Sequence, residues 1–194
     1  MIYQVQLLKD VTRPNYLQAL SRLRERMTLT DQPGIFGLFG GLFGLASNEL
    51  YLVSYEPSVH DITPLLTDTG FEIQATTTLT PTVRPLNHEP RTVPGIYVFR
   101  WFTVKAENVQ EIIRLSNQAW TSFEGGFDTE VQALFAADAA RATDASTTML
   151  LITRYRDLSV WQDSRSPAPE ARENFLKRSA LTIEAKPIAT TLLL

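Results

Sequence analysis

Ile35-Phe36-Gly37-Leu38-Phe39-Gly40-Gly41 and, in the second half of the chain, Val131-Gln132-Ala133-Leu134-Phe135-Ala136-Ala137 follow one pattern: β-branched, any, small, Leu, Phe, small, small. The match extends outward. Downstream come Leu50-Tyr51-Leu52-Val53-Ser54-Tyr55 and Leu150-Leu151-Ile152-Thr153-Arg154-Tyr155, two apolar runs of strand composition. Ser58-Val59-His60-Asp61 then aligns with Ser159-Val160-Trp161-Gln162, each readable as a helix start with a capping box. Upstream, Ile2-Tyr3 and Ile96-Tyr97 open the strand-like runs Ile2–Leu8 and Ile96–Val104. A helical pattern follows each: Leu17, Leu20, Leu23 and Met27, then Val109, Ile112, Ile113, Ser116, Trp120 and Phe123. Gly125-Gly126 reads as a left-handed cap on the second of these. Closing strands are expected at Phe71–Leu79 and Thr182–Leu192.

The chain is thus written twice. Residues 1–80 form copy one and residues 96–194 copy two. Residues 81–95, with Pro81, Pro85, Pro90 and Pro94, read as a linker closed to helix and to central strand. One conflict arises inside the duplication. Glu130–Ala142 is Ala-rich and favours helix by propensity, whereas its partner carries Gly37, Gly40, Gly41 and Gly44. The duplication decides for a strand over Val131–Ala137. The expected fold class is α+β: two tandem ferredoxin-like (βαββαβ) units packed sheet to sheet as a pseudo-symmetric α+β barrel. A fused pair closes such a barrel within one chain.

The run from Ile96-Tyr97 to Thr103-Val104-Lys105, the helix after it, and Leu150–Tyr155 before Ser159-Val160-Trp161 resemble the dimeric α+β barrel superfamily, and within it NIPSNAP-like domains. The resemblance covers copy two well and copy one loosely. It implies a protein of unassigned activity that binds a small organic ligand in an apolar barrel cavity. It also admits a cofactor-independent small-molecule monooxygenase and, more weakly, a haem-binding protein. Haem-handling relatives place a helix histidine over the cavity, and no helix here offers one at a matching place.

Composition sets further bounds. The 194 residues carry a net charge of −3 with no long basic run, which removes the electrostatic footprint of a nucleic-acid partner. No cysteine is present, so disulfides, thiolate ligands and thiol nucleophiles are excluded. His60 and His88 stand apart from one another and from acidic clusters, so neither a metal nor another cofactor is expected. No membrane partner is expected, because the apolar stretch Ile35–Ala46 is too short to span a bilayer, and a cytoplasmic location is the default.

Candidate site residues follow from strand alternation. Tyr3, Val5, Leu7 and Tyr97, Phe99, Trp101 make a wholly apolar face, assigned here to the helices. Gln4, Gln6 and Arg100 share the other face and are assigned to the barrel interior. They form either a hydrogen-bonded plug or an anion site in which Arg100 is a two-pronged donor. Arg154, Tyr55 and Tyr155, at strand ends, complete the ligand-binding candidates; no catalytic residue is assigned. Trp101, Trp120, Trp161, Phe123 and Phe127 enrich copy two in aromatics and suggest a homodimer through it.

Overall fold

The computed structural model describes residues 1–28, 33–137 and 146–193. The first repeat supplies β1 (Ile2–Asp10), α1 (Leu17–Met27), β2 (Gly34–Phe43), β3 (Glu49–Glu56), α2 (Thr63–Leu66) and β4 (Phe71–Arg84). The second supplies β5 (Ile96–Lys105), α3 (Val109–Gly126), β6 (Thr129–Ala136), β7 (Ser146–Tyr155), α4 (Leu158–Asp163), α5 (Pro169–Ala180) and β8 (Thr182–Leu192). All strand pairs are antiparallel, and the strands close a barrel in the order β1-β3-β2-β8-β5-β7-β6-β4. Each repeat thus contributes a four-stranded sheet, and the sheets join edge to edge at β2–β8 and β4–β6. One chain closes the barrel alone. No helix among the described residues is long and apolar enough to cross a membrane.

The strand expected at Val131–Ala137 is β6, and the rest of the Ala-rich stretch lies outside the described residues. The duplication is written even into irregularities. β2 shifts register against β3 between Ile35 and Gly37, and β6 shifts against β7 between Val131 and Ala133. Both shifts come just before the shared Leu-Phe pair. The glycines of β2 reflect close approach: a Cβ on Gly37 would sit 2.5 Å from the Phe39 ring, and one on Gly41 2.7 Å from the Leu45 Cβ.

The inside of the barrel is the reverse of the sequence expectation. Tyr3, Val5, Phe36, Phe39, Tyr51, Val53, Leu79, Tyr97, Phe99, Ala133, Phe135, Leu150, Ile152 and Ile188 form one cluster drawn from all eight strands. Their rings interlock: Tyr51 stacks on Phe99 at 5.0 Å, and Phe39 meets Phe99 edge-on at 5.0 Å. The wholly apolar face therefore fills the barrel, whose eight-stranded interior is just wide enough for side chains and excludes water. Gln4, Gln6 and Arg100 belong to the opposite, helix-facing side. There α1 and α2 cover copy one through Leu8, Leu20, Leu23, Leu52 and Leu65. Helix α3 covers copy two through Ile112 and Trp120 against Phe102, Leu134 and Leu151.

Four local expectations also change. First, β4 runs through Pro81 to Arg84, past the expected copy boundary. Pro81 is tolerated because the β4–β6 ladder shifts register there, so its missing N–H breaks no regular rung. Second, the capping boxes are displaced: Asp157 caps α4 by accepting from the Val160 N–H at 2.9 Å, and Asp61 accepts from the Thr63 N–H at 2.9 Å. His60 therefore precedes α2. Third, Gly125 and Gly126 are absorbed into α3, which ends at an extended Phe127. Fourth, Tyr55 and Tyr155 are not equivalent. Tyr3 pairs with Tyr55 whereas Tyr97 pairs with Arg154, so the β3/β7 match is displaced by one residue, which turns the two tyrosines to opposite faces.

Residues 85–95 lie across one end of the barrel. Arg91 donates its backbone N–H to the Phe36 carbonyl at 2.8 Å, sets its guanidinium 4.7 Å from the Phe36 ring centre and reaches Gln132 Oε1 at 3.2 Å. Below it, Arg84 fastens β4 to α3 through a two-pronged pair with Glu124, at 2.5 and 3.0 Å, while stacking over Trp120. The aromatics that suggested a homodimer are engaged inside the chain: Trp120 and Phe123 are buried and Trp101 packs on the barrel core.

Placing Phe99 at the barrel centre has a measurable consequence. Phe99→Ala is expected to lower unfolding free energy by about 3–5 kcal/mol in urea denaturation, the cost of an unfilled aromatic cavity. A loss below about 1 kcal/mol would mean that Phe99 is not packed in a closed core.

Candidate functional site

The outer faces of the two sheets differ. In copy one, Gln4 Oε1 accepts from the His60 N–H at 2.8 Å, and the Ser54 hydroxyl meets His60 Nε2 at 2.9 Å. The Gln6 amide satisfies both its ends when Nε2 donates to the Leu52 carbonyl at 2.9 Å and Oε1 accepts from Ser54 at 3.2 Å. Gln4 and Gln6 are buried; the Gln4 oxygen and both ends of the Gln6 amide are answered within the chain.

In copy two the position of Gln6 belongs to Arg100, since both lie four residues after the start of matched strands. Helix α5 stands off the sheet here and packs on α3, with Phe123 and Phe175 edge-on at 5.3 Å. The gap is a cavity of about 510 Å3. Phe102, Trp120, Phe123, Leu151 and Phe175 wall it, and Arg100, Arg165, Arg172 and Arg178 line it together with Tyr155 and Ser164. No Asp or Glu is among the lining residues. Arg178 is only 6% exposed, lies 5.4 Å from the Phe102 ring centre and 4.8 Å from that of Phe175, and donates to Ser116 Oγ at 3.3 Å. Among the described residues, no carboxylate comes within ion-pair reach of any of the four lining arginines.

The electrostatics follow from that shortage of acids. Burial pushes the Arg178 guanidinium well below its ordinary range, and Arg100 pushes it further. Burial likewise lowers Arg100, with Tyr155 opposing and Arg165 adding. The Tyr155 phenol is raised by burial, with Arg100, Ser164, Arg165 and Arg178 pulling the other way, so it keeps its proton at neutral pH. The cavity therefore offers cationic donors and a neutral hydroxyl against aromatic walls.

Of the sequence candidates, Arg100 and Tyr155 come together here. Tyr55 lies in the barrel end, 5.5 Å from the ring centres of both Tyr3 and His88. Arg154 ties the linker, donating Nε to the Pro94 carbonyl at 3.0 Å and Nη1 to Asp128 at 3.2 Å. Sequence reading missed Arg165, Arg172, Phe175, Arg178 and the rest of the α5 wall. The signal was present: Arg172, Phe175, Leu176 and Ser179 repeat at i, i+3, i+4 and i+7, one face of a helix. It also missed the Tyr3 hydroxyl, which burial keeps protonated and which meets His88 Nδ1 at 2.7 Å.

A haem in this cavity would need an axial donor. The lining contains no His, Cys or Met, His60 and His88 are engaged elsewhere, and the Tyr155 phenol holds its proton. The donor set does not fit haem. Among the described residues, no three His, Asp or Glu side chains gather as a metal site.

No protein-family model matches the chain, and no curated protein matches it. Solved structures do. An anthrone oxidase-like protein matches at TM-score 0.61 and 12% identity, over 100% of this chain and 92% of its own. A chlorite dismutase variant from Candidatus Nitrospira defluvii matches at TM-score 0.62 and 8% identity, over 98% and 90%. A ferredoxin-fold protein from Listeria monocytogenes related to antibiotic biosynthesis monooxygenases matches at TM-score 0.53 and 11% identity, over 98% and 94%. At these identities the likeness shows the fold, that of the dimeric α+β barrel proteins.

A largely covered guanidinium such as that of Arg100, without a bonded partner among the described residues, costs stability in the empty protein. Arg100→Met is expected to keep the fold and to leave unfolding free energy unchanged or raised by up to about 2 kcal/mol, read from urea denaturation without ligand. A loss of that size would mean that Arg100 has a bonded partner in the free chain.

Proposed function

We propose that the cavity between the copy-two sheet and helices α3 and α5 binds a small, flat organic anion. The supporting observation is Arg100 and Arg178 facing an aromatic-walled space without an acidic neighbour. Two cations in a partly desolvated pocket repel each other, and among the described residues Ser116 Oγ is the one acceptor bonded to either of them. An anionic ligand supplies both the charge and the acceptors. The aromatic walls select a planar body, and the volume suits a small organic molecule. This reading keeps the organic ligand that the NIPSNAP-like resemblance implies and moves it from the barrel interior to the outer face.

The test uses 2-naphthoate and its neutral amide, followed by tryptophan fluorescence, to which the cavity-lining Trp120 contributes. The acid is expected to bind at least about tenfold more tightly than 2-naphthamide, the scale of one charge-assisted hydrogen bond. Arg100→Met should remove that preference. Equal binding of acid and amide would refute an anion site.

A second reading is cofactor-independent oxygenation, and the same guanidinium pair favours it. Cations beside a bound acidic carbon compound stabilise the enolate or phenolate that hands electrons directly to dioxygen. In the balanced reaction a methylene group and dioxygen give a carbonyl group and water. The carbon loses both hydrogens and gains one oxygen, and the other oxygen leaves with those hydrogens as water. Carbon is oxidised and dioxygen is reduced, with no further reductant. In this role Arg100 and Arg178 hold the anion, Tyr155 donates a hydrogen bond, and the aromatic walls exclude water. An oxygen electrode should record one dioxygen per anthrone-type substrate consumed, and a large drop in rate in Arg100→Met. No uptake across a panel of anthrones and quinols would leave the binding reading alone.

A further inference from the structure

We infer that the ligand carries two acidic groups, one at the inner end of the cavity and one at its mouth, joined by a flat aromatic body. This rests on the anion-site reading and narrows it to a doubly charged ligand class, of which a planar dicarboxylate is the simplest member.

The four lining arginines fall into two tiers. Arg178 is buried and Arg100 is largely covered, whereas Arg165 and Arg172 are exposed. Arg165 lies in the segment between α4 and α5, and Arg172 in the first turns of α5. The inner tier is built from strand β5 and from the far end of α5. Aromatic surface, chiefly Trp120, Phe123 and Phe175, shares the cavity with both tiers. A monoanion held by the inner pair would leave its uncharged end beside two exposed guanidiniums and draw nothing from them.

Elsewhere on this surface, Arg114 pairs with Glu111, Arg156 with Asp157 and Arg26 with Asp68, whereas Arg13, Arg22 and Arg24, like the two rim arginines, have no ion pair among the described residues. The chain has 21 acidic residues against 18 basic ones, so the lack of acids around the cavity runs against the composition. A cluster of one sign at a concave mouth focuses field and draws in the opposite charge. The charge excess spans the cavity from the inner end to the rim, and the complementary ligand is charged at both ends.

The experiment compares 2-naphthoate, 2,6-naphthalenedicarboxylate and 2-naphthamide on the full chain by tryptophan fluorescence, at low and high salt. The dicarboxylate is expected to bind at least about tenfold tighter than the monocarboxylate, with the gap shrinking as salt rises. Replacing both rim residues, Arg165→Gln with Arg172→Gln, should weaken the dicarboxylate far more than the monocarboxylate and so close the gap. Equal affinity of the two acids in the wild type overturns the two-charge inference and leaves the anion site standing. Acids that bind no better than the amide overturn the anion site and this inference with it. If the double variant does not fold, the wild-type ratio and its salt dependence decide.

Discussion

Exclusion of water from the inside of an eight-stranded barrel is the constraint on which the rest of this molecule depends. A closed sheet of this size is just wide enough to be filled by side chains, as it is here, so each inward position has to be apolar or bonded. Tyr3 and Tyr97 show how the rule is met at the margins. Their rings sit in the core, and their hydroxyls emerge at the end crossed by residues 85–95, where Tyr3 meets His88 and Tyr97 donates to the Val93 carbonyl at 2.7 Å. The Pro-rich segment is therefore a cover, with its polar atoms placed where the barrel needs partners. Once the inward set is fixed, alternation leaves no choice for Gln4, Gln6 and Arg100: they face the helices.

That outward face is where the two copies diverge. Copy one covers it with α1, the four-residue α2 and a loop whose His60 answers Gln4 and Ser54. Copy two covers it with a twelve-residue helix that leans on α3 and leaves a gap above Arg100. The same strand position thus carries a satisfied amide in one repeat and, in the other, a guanidinium with no bonded partner among the described residues. Duplication explains the shared barrel. The site comes from the longer helix and from the exchange of Gln for Arg beneath it.

Much of the fold was legible because the signals were periodic and repeated. The Leu-Phe pairs of β2 and β6 overrode helix propensity correctly, and even their register shifts coincide. Two things were not legible. The first was which strand face points inward. Both faces of a sheet covered on each side are largely apolar, and a few polar residues on one of them invite a cavity-lining reading. The second was the one-residue offset between β3 and β7. A strand inverts its faces with a single step, and Tyr55 and Tyr155, which align in sequence, supplied the misleading match. Arg100 and Tyr155, both picked out from sequence, line one cavity, but sequence alternation assigns Arg100 to the wrong compartment. Arg178 was missed because its meaning depends on Arg100, and nothing local in sequence connects β5 to the far end of α5.

The energetic logic of the site separates it from the rest of the outer face. Most polar groups there are answered within the chain: Gln4 by His60, Gln6 by Ser54 and Leu52, Arg84 by Glu124. An apolar residue at Arg100 would pack as well and cost less, so stability does not account for a guanidinium there. The cation-π contacts of Arg178 with Phe102 and Phe175 lessen the cost of burial without cancelling the charge. What remains is a positive potential held by packed helices before any ligand arrives. On the anion-binding reading, a pocket preorganised in this way discriminates by charge more than by shape, because a neutral molecule of the same outline leaves the two positive charges uncompensated. The α+β barrel supplies the rigidity, and on that reading the shortage of acids supplies the selectivity.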